Sequence, residues 1–195
     1  MHHQHRDPPL DARGAQHNKE ITMQKLRPPP VSLLDRYSGT GFAPVYATRV
    51  TVRGGETGHG RASGVARSDD GVLQVDLRLP PALGGPGGGT NPEQLFAAAY
   101  GACFHGALQL LATRNGIALP SCSVEVAVRL GRDPVDGHHA LQADVTVRLP
   151  GLQQRVAEEL VRATERVCPY AKMVRQGIEG TVRVVVTEEA GDAAN

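Results

Sequence analysis

The amino-acid sequence predicts an α+β fold, and three patterns carry that prediction. Apolar residues alternate with polar ones at Leu73, Val75, Leu77 and Leu79, at Val124, Val126, Val128 and Leu130, and at Leu141, Ala143, Val145, Val147 and Leu149. That period of two marks strands with one buried face. A run from Asn91 to Asn115 holds no formal charge between Glu93 and Arg114 and is bracketed by helix signals. Strands and helices alternate, with hairpins among the strands, which separates α+β from a purely parallel α/β design.

In chain order, residues 1–44 read as an appendage. Pro8, Pro9, Pro28, Pro29, Pro30 and Pro44 punctuate it and apolar periodicity is absent, so it is expected to be disordered or loosely docked. Met23 is a second candidate start. The main domain is expected over 45–187, with 188–195 as a tail. Residues 45–53 read as a first strand, 54–60 as a glycine-rich turn and Val72 to Leu79 as a second strand. Gly84-Gly85-Pro86-Gly87-Gly88-Gly89 is a loop leading flexibly into a helix. It lacks the Lys-Ser/Thr ending of a phosphate-binding P-loop and fits no dinucleotide fingerprint. Asn91 is a good N-cap, Pro92 suits the first helical position, Glu93 favours the first turn and Gly116 is a stop signal. A helix so uncharged is expected to be buried on nearly every side, at the centre of the fold. Two strands joined by a turn at Asp133 to Gly137 follow. A helix from about Gln153 to Val167, a short helix after Pro169 and a last strand near 179–187 complete the prediction.

Composition excludes several function classes. Lys and Arg total 21 against 20 Asp and Glu, for a net charge of +1, so no electrostatic footprint favours nucleic acid or anionic membrane. Trp is absent and seven residues are aromatic, too few for single-strand stacking platforms. No uninterrupted apolar run reaches the roughly 18 residues of a bilayer span, and the start lacks the pattern of a secretory signal. Three cysteines are too few for a secreted disulfide scaffold. A reducing cytoplasm is the expected location, where a functional disulfide is transient.

Two of those cysteines have distinctive contexts. Cys103 lies inside the uncharged helix, whereas Cys168 lies in Val167-Cys168-Pro169-Tyr170, at a break between helices. A thiol attacks peroxide only as thiolate, and its ordinary pKa near 8.5 leaves about a few per cent ionised at neutral pH. Cys103 is about ten residues from the N-terminus of its own helix, too far for that dipole to help. His105, two positions on, points about 200° away, so a Cys103–His105 dyad is not expected and His105 is read as a packed or interface residue. Arg61, after the glycine-rich turn, is the preferred cation, with Glu93 as the carboxylate that would hold it. On composition alone, solvated roles for both are the favoured reading, Arg61 in a loop and Glu93 as a helix-start charge. Phe96, Phe104, Leu108 and Met173 could line an apolar pocket for a greasy substrate, with core packing as the alternative for each. Cys122 is expected to be a bystander. No metal site is expected: the spacings of the cysteines with His138 or His139 match no common zinc pattern, and His2, His3 and His5 read as an adventitious terminal cluster.

The run Gly89-Thr90-Asn91-Pro92-Glu93-Gln94-Leu95-Phe96-Ala97-Ala98-Ala99-Tyr100-Gly101-Ala102-Cys103-Phe104 resembles the signature of the organic hydroperoxide resistance (Ohr) family, a branch of the OsmC-like superfamily. Arg67-Ser68-Asp69-Asp70-Gly71-Val72-Leu73, Leu83-Gly84-Gly85 and Val167-Cys168-Pro169-Tyr170 are similar too, so the likeness spans about Val45 to Val186. The resemblance implies an OsmC-like fold, with antiparallel sheets around long buried central helices, as an intertwined homodimer with active sites at the subunit interface. It places Cys103 on the peroxidatic cysteine, Cys168 on the resolving cysteine, Glu93 on the motif glutamate and Arg61 on its arginine partner. Family members usually show Gly-Arg-Asp/Asn-Gly ahead of the Ser-Asp-Gly turn. This chain reads Gly60-Arg61-Ala62-Ser63-Gly64-Val65-Ala66-Arg67, which keeps Arg67 as a competitor and Arg53 as a third choice. The implied activity is reduction of organic and lipid hydroperoxides to alcohols through a Cys103 sulfenic acid and a Cys103–Cys168 disulfide. No bound cofactor is implied, and a dithiol such as a lipoylated protein regenerates the enzyme. A non-enzymatic redox sensor and a broader OsmC-type peroxidase are the alternatives. Helix geometry adds one expectation. Glu93 and Cys103 are about 15 Å apart along a straight helix. Either the helix breaks, or Glu93 serves the Cys103 of a second subunit, and the second is expected.

Overall fold

The structure, a computed structural model, describes residues 31–55 and 63–186. Among the described residues, five strands and three α-helices are arranged in two sheets and a helical layer. Strands β1 (Val50–Arg53), β2 (Gly64–Ser68) and β3 (Gln74–Leu77) form an antiparallel three-stranded sheet. Helix α1 (Pro92–Arg114) packs on strand β4 (Ser123–Arg132), which pairs antiparallel with β5 (His139–Arg148). Helices α2 (Gln154–Val167) and α3 (Pro169–Gln176) also pack against α1.

The β4–β5 register puts Val124 opposite Val147, Val126 opposite Val145 and Val128 opposite Ala143, so one face of the hairpin is a continuous apolar strip. The other face is tied by exposed ion pairs, Arg148 to Glu125 at 2.8 Å and Arg129 to Asp144 at 2.7 Å. Two buried clusters result. One contains Tyr100, Phe104, Cys168 and Ala171, and the other Leu108, Ala112 and Leu160. Tyr100, Phe104, Leu108 and Ala112 recur every four residues, so they form one stripe of α1. Burial of this helix is thus narrower than its uncharged sequence implies: Ala98, Ala102 and Gly106 are exposed. The β4–β5 hairpin, α2, α3 and the turn at Val31–Leu34 pack on α1 and leave those three residues exposed. By length and composition α1 is apolar enough to cross a membrane, yet it is the helix on which the core is assembled.

The N-terminal end of α1 is fixed as the sequence predicts. Asn91 Oδ1 accepts the backbone N–H of Gln94 at 2.9 Å, and Pro92 takes the first position. The glycine loop ahead of it is a tight fold-back rather than a flexible lead. Gly85 N–H donates to Pro80 O and Gly87 N–H to Leu79 O. Gly84 has φ +81°, and a Cβ on Gly85 would collide with the Leu79 carbonyl oxygen. Thr90 then bonds to β3 through Arg78 N–H and Asp76 O, which anchors the start of α1 to the first sheet.

Several boundaries differ from the sequence reading. The first strand is only Val50–Arg53, and the predicted Val72–Leu79 strand is only Gln74–Leu77. Strand β2 was not anticipated, because its buried residues are Gly64, Ala66 and Ser68 while Val65 and Arg67 face out. Small inward residues erase the apolar alternation. The strand expected near 179–187 is absent: residues 177–186 have no regular structure, and Val182 and Val184 are 95% and 85% exposed. A strand pattern with no neighbouring edge to bond has no reason to stay extended. Of the expected N-terminal arm, Val31–Leu34 forms a 3-10 turn against α1, and Asp35 lies 3.5 Å from the Arg114 guanidinium. Residues 1–30 and 187–195 lie outside the described residues.

Candidate active site

Cys103 and Cys168 meet. Their sulfurs are 3.2 Å apart and not bonded, so a disulfide needs them to close by about 1 Å more. Helix α1 carries Cys103 beside Phe104, whose buried ring fixes that turn of the helix. Cys168 is the residue between α2 and α3, fully buried, and serves as the N-cap of α3 without a side-chain cap bond. Its backbone N–H donates to Thr164 O and its carbonyl accepts from Lys172 N–H. The helix break therefore holds Cys168 on both sides rather than leaving it free to travel, and the thiols are already in contact.

Electrostatics explain why the pair needs help. Burial pushes the Cys103 thiol up to about 11. The backbone N–H of Tyr170 opposes this, and contact with the Cys168 thiol adds to it. At pH 7 a pKa of 11 leaves about one thiol in ten thousand ionised. The Tyr170 N–H belongs to the first turn of α3, so the helix N-terminus that helps Cys103 is that of a different helix. The Pro169 start signal marks the second helix in the sequence, but not that its first turn reaches Cys103. Of the ring cluster around the pair, the sequence marks Phe96 and Phe104 but not Tyr100 and Tyr170. Tyr100 stacks on Tyr170 with centroids 6.3 Å apart and meets Phe104 edge-on at 6.3 Å, with Phe96 tilted against it at 6.1 Å. Desolvation in this cluster raises the Tyr100 phenol, which stays neutral.

The other expected site residues divide. Phe96 and Phe104 belong to the cluster that contains Cys168. Leu108 belongs to the second cluster, with Ala112 and Leu160, one turn further along α1. Met173 is half-buried on α3. Glu93 is half-buried in the first turn of α1, and α1 runs unbroken from there through Cys103. The helix-break alternative is therefore removed, and the two residues stay about 15 Å apart within one chain. Arg61 lies outside the described residues. Arg67 is exposed on β2 opposite Thr51 and Gln74, and Arg53 is on the same face. His105 turns away from Cys103, as its spacing predicts, and its Nε2 sits 3.3 Å from the Cys122 sulfur. Among the described residues no group of three or more His, Cys, Asp or Glu side chains is placed to hold a metal ion.

The OsmC-like protein family model matches residues 85–183, which include both cysteines of the pair. The chain is 40% identical over 135 residues to the organic hydroperoxide resistance protein OhrB of Bacillus subtilis, covering 69% of this chain and 94% of that one. The chain belongs to the OsmC-like family, in its Ohr branch. It is also 36% identical over 140 residues to the organic hydroperoxide resistance protein of Xanthomonas axonopodis pv. citri, with 71% and 93% of the two chains covered. The crystal structure of an organic hydroperoxide resistance protein from Legionella pneumophila superposes with a TM-score of 0.61 at 38% identity, over 69% of this chain and 93% of that one. The Ohr-like part thus accounts for nearly the whole length of these relatives, and the remaining third of this chain is additional to it. The antiparallel sheets and the long central helix are those of the family fold, and a role in organic hydroperoxide resistance follows from membership.

Proposed function

We propose that the protein is a cysteine-based, thiol-dependent peroxidase that reduces organic hydroperoxides, lipid hydroperoxides included, to alcohols. The observation that carries this reading is the 3.2 Å contact between two unbonded thiols of unequal burial, Cys103 partly accessible and Cys168 enclosed. The Cys103 thiolate attacks the terminal oxygen of ROOH. The O–O bond breaks, RO⁻ leaves and takes a proton to become ROH, and Cys103 becomes a sulfenic acid. The Cys168 sulfur then attacks that sulfur, hydroxide leaves as water with the Cys168 proton, and the Cys103–Cys168 disulfide forms. An external dithiol restores both thiols and is itself oxidised. A lipoyl group on a partner protein suits that task, since its two thiols close on each other. No bound cofactor takes part in this scheme, which fits a reducing cytoplasm.

Arg61 is the cation assigned to the Cys103 thiolate, and Glu93 the carboxylate that orients its guanidinium through a paired, charge-assisted contact. Because α1 is continuous, Glu93 is assigned to the Cys103 of a second copy. The uncovered Ala98, Ala102 and Gly106 face of α1 and the exposed valines of β1 and residues 182–186 support an intertwined homodimer with two interfacial sites.

Repeated turnover of cumene hydroperoxide with dihydrolipoamide, followed by intact-mass analysis, tests the reading. Expected are many turnovers per chain and, without dithiol, a loss of two mass units for one disulfide. A single reaction per chain in the presence of dithiol would instead mark a redox sensor.

A further inference from the structure

Cys122 takes no part in the scheme above, yet it is not isolated. It stands one residue before β4, where the connection from α1 returns to the helix. His105 and Gln109, four residues apart and so on one face of α1, both reach its sulfur. His105 Nε2 is 3.3 Å away, and Gln109 Nε2 donates to the sulfur at 3.0 Å. The three side chains are half-buried, and Cys122 packs against the cluster of Leu108, Ala112 and Leu160, which fixes the sulfur beside the helix. A thiol with an imidazole nitrogen at contact distance and an amide N–H aimed at the sulfur has the parts of an activated nucleophile: a base, and a donor that steadies the thiolate.

We propose that Cys122 is a second reactive thiol and a modification site for small, uncharged disulfides, with His105 as its base and Gln109 as its positioning residue. In the reaction, His105 Nε2 takes the Cys122 proton and the thiolate attacks one sulfur of R–S–S–R. That S–S bond breaks as the Cys122–S–S–R bond forms, and the departing RS⁻ takes the proton back from the imidazolium. One disulfide and one thiol enter, one disulfide and one thiol leave, and no further oxidant is needed. The product is a mixed disulfide that stays on the chain, because the other two of its three cysteines contact each other around the helix from His105. Nothing in this proposal depends on the peroxidase scheme.

The test uses the full chain carrying Cys103→Ser and Cys168→Ser, so that Cys122 is the sole thiol, with bis(2-hydroxyethyl) disulfide as probe and intact mass as readout. Expected is one adduct per chain, formed at neutral pH about tenfold faster in the folded protein than in the same chain in urea. A half-buried thiol without a base reacts more slowly folded than unfolded, and that result would overturn the proposal whatever the behaviour of other variants. Adding His105→Gln, which keeps a polar amide but no base, is expected to slow the folded reaction by about tenfold or more, with Gln109→Ala costing less. An unchanged rate in a folded His105→Gln chain would equally overturn it.

Discussion

Around Cys103, Phe104 and Cys168 the chain buries its apolar side chains unaided, whereas along β1 and residues 177–186 it leaves them in water. In the first region α1, the β4–β5 hairpin, α2 and α3 enclose Phe104, Leu108 and Cys168 almost completely. In the second, Val50 and Val52 on β1 stay about half exposed, and Val182, Val184 and Val186 keep most of their surface. Burying three such valines stabilises by roughly 5 kcal/mol. The difference teaches where the chain ends its own work. One copy brings the two thiols together, but it raises the Cys103 pKa instead of lowering it. Of the groups assigned to activate that thiol, Glu93 lies in the first turn of α1, away from Cys103, and Arg61 lies outside the described residues. The self-sufficient region supplies the two thiols in contact, and the unfinished region is the surface to which the proposed second copy is assigned.

The strongest way to break this division is at the pair itself. Cys103→Ser is expected to cut hydroperoxide turnover at least about a thousandfold. Cys168→Ser should still consume one equivalent of peroxide and accumulate oxidised Cys103, seen as a gain of one oxygen by mass. Peroxide consumption by Cys103→Ser through Cys168 would reverse the assigned order.

Next in size is the cation. Arg61→Ala is expected to lower the rate of Cys103 alkylation at pH 7 by about tenfold to a thousandfold, the reach of one adjacent charge. In that variant the rate should climb about tenfold per pH unit toward a midpoint near 11, the value that burial sets together with the Tyr170 and Cys168 contacts. The sign for stability follows. With the folded thiol ionising above the ordinary thiol range, its contribution is whole below that range and is lost as the pH rises through about 11. If Arg61→Ala leaves the alkylation profile untouched while Arg67→Ala shifts it, the active-site arginine is Arg67, swung in from the exposed sheet face.

Glu93 probes the second copy directly. Glu93→Gln is expected to cost about tenfold in kcat/KM through the arginine it orients. Chains carrying Glu93→Gln, co-refolded with chains carrying Cys103→Ser, should recover about a quarter of the parent activity, since half the dimers are mixed and each holds one intact site. Activity no higher than the mean of the two parents would place Glu93 and Cys103 in one subunit's site, against the unbroken α1.

How far the sequence reached depends on whether a signal was local. Helix α1 was legible end to end because Asn91, Pro92 and the charge-free interior all speak within one segment, and the β4–β5 hairpin because large residues alternate on both strands. Strand β2 was hidden, since Gly64, Ala66 and Ser68 fill its buried positions. The 179–187 strand was over-read, because alternating valines report a capacity to pair and not the presence of a neighbour. At the site, the cysteines, Phe96 and Phe104 were marked by motif and spacing. The Tyr170 N–H beside Cys103 and the His105–Gln109–Cys122 contact were not, because each joins residues that only the folded chain brings together.

The smallest effect on chemistry separates core from pocket within the self-sufficient region. Leu108 and Phe96 are both apolar residues of α1, but Leu108 is fully enclosed with Ala112 and Leu160, while Phe96 is half-buried beside the thiol cluster. Leu108→Ala should destabilise by about 2–5 kcal/mol through lost burial and the cavity left behind, measured by urea unfolding. In the fraction that stays folded, the ratio of kcat/KM for cumene hydroperoxide to that for hydrogen peroxide should be unchanged. Phe96→Ala should unfold at nearly the parent urea concentration but lower that ratio by a fewfold, as expected if the ring contacts the bulky peroxide in the proposed substrate site beside the thiols. If Leu108→Ala moves the ratio instead, the substrate reaches deeper along α1 than the two separate clusters imply.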